Sequence, residues 1–420
     1  MCNLRPHEEK KEDKMEKKKL LMVFSVVLLT MAIGFHPSTA IGAEKYVTYL
    51  GLEDFTGPIA GITVSFNEGI RDHFIYVNER GGVNGVKINP ILVDTRYDTA
   101  RAVSAFKRYR REHKLVFILI ASTGVGRAMY PLTIRDKVPI QIPGVGYFQH
   151  LLGWAITYAP PYQDMFGASL DWMVDDWKKK GNPGMPTVGY MGWDNPMGRE
   201  NMLGGREYAE KLGVKLLEAE YYPVGSLKHD VWLSRLRDKG AKYIFISGTD
   251  PENSNVVRDA YALGMSKDVQ LISGVWGTTI ETGVAAHPEE FEGEVICSPG
   301  IRGVDARVHP SAQLWKQLGK SKPTVQFAYL IGMAQAIMFE KALKVALQDV
   351  GYEKVNGEAV YKALQKITGE DTKGITGLID LSPTSRRVTR DVKFYRVSKG
   401  EIVPITGWRR CPDTVSLHKW

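Results

Sequence analysis

From Tyr46 onward, apolar and β-branched runs alternate with amphipathic stretches of helical length. This alternation constrains the fold more than any other feature. A strand, a helix and a second strand in that order make a parallel βαβ unit. The pattern predicts strands at Val47–Leu52, Ile88–Asp94, Val116–Ala121, Pro139–Ile142, Val188–Met191, Lys215–Tyr221, Tyr243–Ile246, Leu271–Ser273 and Glu294–Ser298. It predicts helices near Ala60–Glu79, Thr99–Glu112, Gln163–Lys179, Gly198–Lys211, Lys228–Asp238 and Asn253–Leu263. Sheets of this kind carry ligands at the carboxyl ends of their strands.

The strands fall into two sets. The first ends near Ala159-Pro160-Pro161, and the βαβ rhythm restarts after Gly181–Pro186. A second α/β lobe is therefore expected. After Cys297–Gly300 the pattern changes to a long apolar helix, Thr324–Gln348, and a short one, Gly357–Thr368. Two β-rich segments follow, Leu378–Leu381 and Val392–Val397. A chain of this length suits two domains better than one core.

The N-terminus reads as a secretory signal peptide. Lys17-Lys18-Lys19 precede an apolar run, Leu20–Phe35, and small residues follow at Ser38-Thr39-Ala40 and Ile41-Gly42-Ala43. The run is short of the ~20 residues that a spanning helix needs. Cleavage is expected near Ala40 or Ala43, leaving a periplasmic, exported chain. Met15-Glu-Lys-Lys-Lys reads as a conventional start for such a peptide. The first 43 residues hold seven Lys/Arg and five Asp/Glu, so the formal charge of +8 falls to +6 on cleavage. The basic residues are scattered apart from Lys107-Arg108-Tyr109-Arg110-Arg111, a solvated helix face, so no nucleic-acid partner is expected. Cys297 and Cys411 survive cleavage, either as a disulfide or as two thiols. No Cys or His pair has metal-ligand spacing, so no metal and no cofactor are expected.

Catalytic motifs are missing. Gly124-x-Gly126 begins a dinucleotide fingerprint, but Met129 takes the place of its third glycine. There is no phosphate-binding Gly-x-x-x-x-Gly-Lys loop and no Gly-x-Ser-x-Gly elbow. His150, His229, His287 and His309 stand apart and read as surface residues. An enzyme is not expected. Instead, Gly-rich turns follow five strands: Ser122–Gly126, Pro143–Gly146, Trp193–Gly198, Ser247–Pro251 and Ser273–Gly277. Glycine permits close approach, hydroxyls bind, and aromatics pack, which is the composition of a ligand site.

These residues resemble the type I periplasmic binding proteins of the branched-chain amino acid and amide transport family. The marks are Thr56-Gly57-Pro58 after the first strand, Val77-Asn-Glu-Arg-Gly-Gly-Val-Asn-Gly85, Ile91–Asp94 with Tyr97-Asp98, and Val188–Met191 with Asn195-Pro-Met-Gly198. The resemblance implies an α/β fold of two Rossmann-like lobes with parallel sheets, joined by a three-crossover hinge. One lobe would hold residues 44–160 and 299–375, the other 161–298 and 376–420. Crossovers are expected near Ala159–Tyr162, Cys297–Gly300 and Gly374–Gly377. The resemblance further implies a small-molecule ligand between the lobes and delivery to the permease subunits of an ABC transporter.

By position, Thr123 matches a hydroxyl that contacts the ligand's carboxylate or amine, with Ser122 beside it. Gly144 and Gly146 match a second contact loop, which continues into Tyr147 and Phe148. At Gly146 many relatives carry Thr, so a hydroxyl is missing here. Thr249 and Trp276 match contact loops of the second lobe, and Met197 falls near a position often aromatic. Trp193 shares that strand-end setting. Amino-acid binders commonly carry an acid where this chain has Trp276. The expected ligand is therefore a small carboxylate or amide with an apolar or aromatic portion. For a free α-amino acid, Asp250 or Asp194 would have to supply the missing charge. A ligand-sensing protein on the same fold is the alternative role, although the polar segment Thr406–Trp420 offers no membrane helix for one.

Overall fold

The computed structural model describes residues 44–420; the expected signal peptide, residues 1–43, lies outside them. β1 (Tyr46–Glu53), β2 (Lys87–Asp94), β3 (Leu115–Ile120), β4 (Ile140–Ile142) and β5 (Ala155–Thr157) form one parallel sheet, ordered β2-β1-β3-β4-β5. The second sheet holds β6 (Thr187–Trp193), β7 (Lys215–Leu216), β8 (Glu220–Tyr222), β9 (Tyr243–Ser247), β10 (Gln270–Ser273), β11 (Val295–Ser298), β12 (Asp391–Ser398), β13 (Glu401–Pro404) and β14 (Arg409–Arg410). β6 to β11 run parallel, but β12 pairs antiparallel with β11, and β13 with β12. The expectation of two parallel sheets is corrected for the second, which is mixed. Its antiparallel edge is a hairpin turned by Lys399 and Gly400, both at positive φ (53° and 77°), as a two-residue turn requires.

Local sequence accounts for most elements. β3, Leu-Val-Phe-Ile-Leu-Ile, is buried at every position, because helices cover both faces of its sheet. Helix Thr99–Glu112 is capped by Asp98, which accepts from Arg101 N at 2.8 Å, and it buries Ala102 and Phe106. Helix Gln326–Lys354 packs on helix Ala60–Glu79 through two glycines. A Cβ on Gly69 would lie 1.9 Å from Tyr329 O, and one on Gly332 would lie 1.8 Å from Phe66 O. That close crossing fixes where Phe66 stands.

Several boundaries differ from the sequence pattern. Helix Thr123–Asp136 starts two residues after β3 and contains Pro131, in a stretch absent from the expected helices. Lys215–Tyr221 breaks into β7 and β8, and the helix near Gly198–Lys211 breaks at Leu203-Gly204. Leu378–Leu381 forms only an isolated bridge, Ile379 to Thr389. His229 is fully buried, not on the surface, and its Nδ1 sits 3.0 Å from Asp259 Oδ2. Cys297 and Cys411 are buried free thiols.

The chain passes between the sheets after β5, after β11 and before β12. Bridges tie these connections together, Thr157 to Arg387 and Gly300 to Thr376. Arg387, buried, donates to Asp164 at 2.9 Å and to Asp413 at 2.7 Å. A single hydrophobic core runs from Tyr49 and Phe66 in the first lobe through Tyr158, Tyr162, Trp193 and Trp276 to Phe245 in the second. The lobes are therefore in contact across the cleft.

Two buried carboxyls make stability pH-dependent. Burial raises Glu53, beside Asn67, and Glu294, beside Ser273 and Thr278, each to about 7. The folded state then holds these protons more tightly than the unfolded chain, whose carboxyls titrate near ~4.3. Their contribution to stability is full below that value and is lost as pH rises toward 7. Melting temperature should therefore fall between pH 5 and about pH 8. Glu53→Gln should lessen the fall; an unchanged pH profile in this variant would contradict the assignment.

Candidate functional site

The carboxyl ends of the parallel strands of both sheets converge on one narrow cavity between the lobes. The first lobe contributes Ile59, Ile62, Thr63 and Phe66 from the first helix, Tyr97 after β2, Ala121 and Thr123 after β3, and Tyr158 after β5. The other wall is Tyr162, Trp193, Met197, Thr249 and Trp276. Tyr97 and its neighbour Arg96 hold left-handed backbone angles, φ 61° and 52°. Such residues cost about 1–3 kcal/mol each and cluster at functional sites.

The polar edges of the aromatic wall are mostly spent within the protein. Trp193 Nε1 donates to Glu252, which also accepts from Gly225 N. Tyr158 OH donates to Ile120 O. Trp276 Nε1 donates to the Tyr162 hydroxyl oxygen at 2.9 Å, which leaves the phenol hydrogen of Tyr162 to donate elsewhere. Burial pushes that phenol well above its ordinary value, so it stays protonated.

Two hydroxyls are unpaired. Thr123 Oγ1 and Thr249 Oγ1 are buried and lack hydrogen-bond partners of acceptable geometry, although Thr123 lies beside the Tyr162 phenol. They come from opposite lobes. Thr123 is also the first residue of a 14-residue helix, whose early N–H groups have no partner within the helix. Among the described residues, no Asp, Glu, Lys, Arg or His lines the cavity. The site therefore presents donors from hydroxyls and a helix end, with broad apolar faces around them.

Of the residues singled out from sequence, Thr123, Trp193, Met197, Thr249 and Trp276 line the cavity. Ser122, Gly144, Gly146, Tyr147 and Asp250 do not. Ser122 caps the helix, accepting from Val125 N at 3.3 Å. A Cβ on Gly144 would lie 2.9 Å from Tyr162 N, and one on Gly146 would lie 2.6 Å from Gln163 Nε2, so both glycines admit the neighbouring chain. Tyr147 faces outward against Trp420. Asp250 spends its carboxylate on Ser254, Thr279 and Ile280 N. Asp194 pairs with Arg199 on the surface.

Tyr97, Tyr158, Tyr162 and Phe66 were not foreseen as wall residues. Tyr158 and Tyr162 flank Ala159-Pro160-Pro161, so their signal was a strand end before a boundary. That strand, β5, is only three residues long and escapes a pattern search.

Glu200 joins the lobes beside the cavity. Its buried carboxylate accepts from Arg127 of the first lobe, from Gly146 N at 3.1 Å and from Gln163 Nε2 at 3.0 Å. Burial raises its pKa, and Arg127 opposes that.

A family model described as periplasmic binding protein matches residues 51–401, and the chain belongs to that family. Membership implies an extracytoplasmic location. No curated protein sequence matches the chain. Solved structures share the fold at low identity. A branched chain amino acid ABC transporter protein from Thermus thermophilus with bound valine is 18% identical, with TM-score 0.78 over 89% of this chain and 99% of its own. A fatty acid ABC transporter substrate-binding protein from Thermomonospora curvata is 17% identical, with TM-score 0.75 over 89% and 94%. A solute binding protein of an ABC transporter from Rhodopseudomonas palustris HaA2, in complex with p-hydroxybenzoic acid, is 16% identical, with TM-score 0.71 over 89% and 99%.

Unpaired buried hydroxyls cost stability until a ligand satisfies them. Thr123→Val and Thr249→Val should therefore leave the ligand-free melting temperature unchanged or raise it, by up to about 1 kcal/mol in stability. Calorimetric unfolding checks this. A loss of more than about 1 kcal/mol would show that the hydroxyls already have partners.

Proposed function

We propose that the protein captures a small solute between its two lobes and passes it to the membrane permease of an ABC importer, without changing it chemically. The observation that carries this reading is the cavity at facing strand ends, with one unpaired hydroxyl from each lobe and no charged side chain. Solute contact with both walls would favour lobe closure.

The same observation supports a class of ligand. Thr123, the helix end behind it and the hydroxyl of Tyr162 beside it suit an acceptor, either a carboxylate or an amide carbonyl. The faces of Trp193, Trp276, Tyr158 and Phe66 suit an apolar or aromatic body. An ammonium group would find no acid, since Asp250 and Asp194 are committed elsewhere. Burying it unpaired costs several kcal/mol, and cation–π contact returns only about 2. The neighbours' bound p-hydroxybenzoic acid and fatty-acid assignment lend support to the carboxylate reading, while the bound valine supports an amino acid.

Thermal unfolding against benzoate, 4-hydroxybenzoate, short branched carboxylates, their amides, valine and leucine tests the proposal. A ligand at ~100 times its dissociation constant should add about 2.7 kcal/mol and be recovered unchanged. Carboxylates or amides should give the shift. Tight binding of valine or leucine alone, or chemical conversion of the solute, would overturn the reading. Intact mass of the exported protein should show a start at or near Ile41 or Glu44; retention of Leu20–Phe35 would contradict cleavage.

A further inference from the structure

Arg302 is among the largest fully buried side chains, and no carboxylate is among its hydrogen-bond partners in the described residues. An isolated buried cation is costly unless its donors are satisfied. Here they are satisfied in an unusual direction. Nη2 donates to Val275 O at 2.7 Å, and Nη1 donates to Gly277 O at 3.1 Å and Thr278 O at 3.4 Å. Those carbonyls flank Trp276 on both sides. Nε donates to Ser298 Oγ at 3.2 Å, at the end of β11. The guanidinium also lies 3.9 Å over the ring of Phe327, which belongs to the long helix packed on the first lobe.

Arg302 thus touches the Trp276 loop and the end of β11 in the second lobe and a ring from the helix packed on the first. It sits in the connection that follows β11, where Ile301 N bonds Ile375 O at 2.9 Å. It stacks on a first-lobe ring and grips the second-lobe loop that carries Trp276. Within the buried core the indole also makes one hydrogen bond to Tyr162, edge contact with Tyr158, and a tilted contact with Phe327 at 6.3 Å. Trp276 O in turn accepts from Asp250 N at 3.1 Å, which links the loop to Thr249. A planar fork suits this arrangement, because two nitrogens can hold carbonyls on either side of one residue; a lysine offers a single point.

We propose that Arg302 is the positioning residue through which the second hinge connection holds Trp276 against the cavity. Its charge is not spent on solute. Its fork sets the angle of the indole, and through it the shape of the wall. Of the charged and titratable groups around it, Tyr395, Asp250, Glu281 and Glu294 act on it from a distance and do not replace the carbonyls. The inference rests on Trp276 walling the proposed solute cavity, but its test uses no solute and so fails independently of the ligand assignment.

The chain has nine tryptophans. With 5-fluorotryptophan incorporated, Trp276→Phe identifies the Trp276 signal in the fluorine NMR spectrum of the ligand-free protein. In Arg302→Lys, which keeps the charge and loses the fork, the Trp276 signal should shift or broaden. The signals of Trp154 and Trp177, remote from the loop, should stay in place. Ser298→Ala, which removes the Nε acceptor together with a local hydrogen bond to Gly300 O at 2.7 Å but leaves the Arg302 fork on the Trp276 loop, should move the Trp276 signal in the same direction by a smaller amount, and it serves if the lysine variant fails to fold. A Trp276 signal at its wild-type position in a folded variant would overturn the proposal. So would equal displacement of all the tryptophan signals, which would show general loosening.

Discussion

A buried carboxylate with partners on both lobes is the contact on which the closed cavity depends. Glu200 belongs to the second lobe, yet its oxygens take Arg127 and the Gly146 amide from the first. A hydrogen bond to a charged group contributes about 1.5–3 kcal/mol when shielded from water. Arg127 is 40% exposed, so its share lies below that range. These bonds are modest in strength and directional enough to fix the mutual setting of the lobes. Gly146 is required at this point, since a side chain there would displace Gln163 from the carboxylate.

With the lobes so placed, the chemistry of the cavity follows from which polar groups are already used. Trp193, Trp276 and Tyr158 each lose their donor to another protein group, so they meet a solute with flat apolar surface. The threonine hydroxyls keep theirs. In the proposed reading, a solute that spans the gap would satisfy one hydroxyl on each lobe and cover aromatic faces on both. Selectivity would then come less from attraction than from exclusion, since a cationic group would have nowhere to put its charge.

Much of this was legible in the sequence, because parallel βαβ units announce themselves by alternation and place their ligands at strand ends. The strand and helix pattern located β1, β3 and β9 and the helix Ala60–Glu79 closely. Thr123, Thr249, Trp193, Met197 and Trp276 were readable as loop residues at those ends. What could not be read was the direction of side chains. Asp250 sits beside Thr249 but turns its carboxylate into its own loop, and Ser122 beside Thr123 is consumed as a helix cap. The helix Thr123–Asp136 escaped the pattern because it holds Pro131, which Ser122 capping and packing carry the helix through. The three-residue β5 hid Tyr158 and Tyr162. The antiparallel edge of the second sheet depends on a return of the chain that local periodicity does not encode.

The central claim is the proposal that a solute held between the two lobes favours their closure. Small-angle scattering tests it most directly, on ligand-free protein and on protein saturated with the solute that gives the largest thermal shift. The account predicts a smaller radius of gyration with solute bound. An unchanged radius at saturation would contradict it.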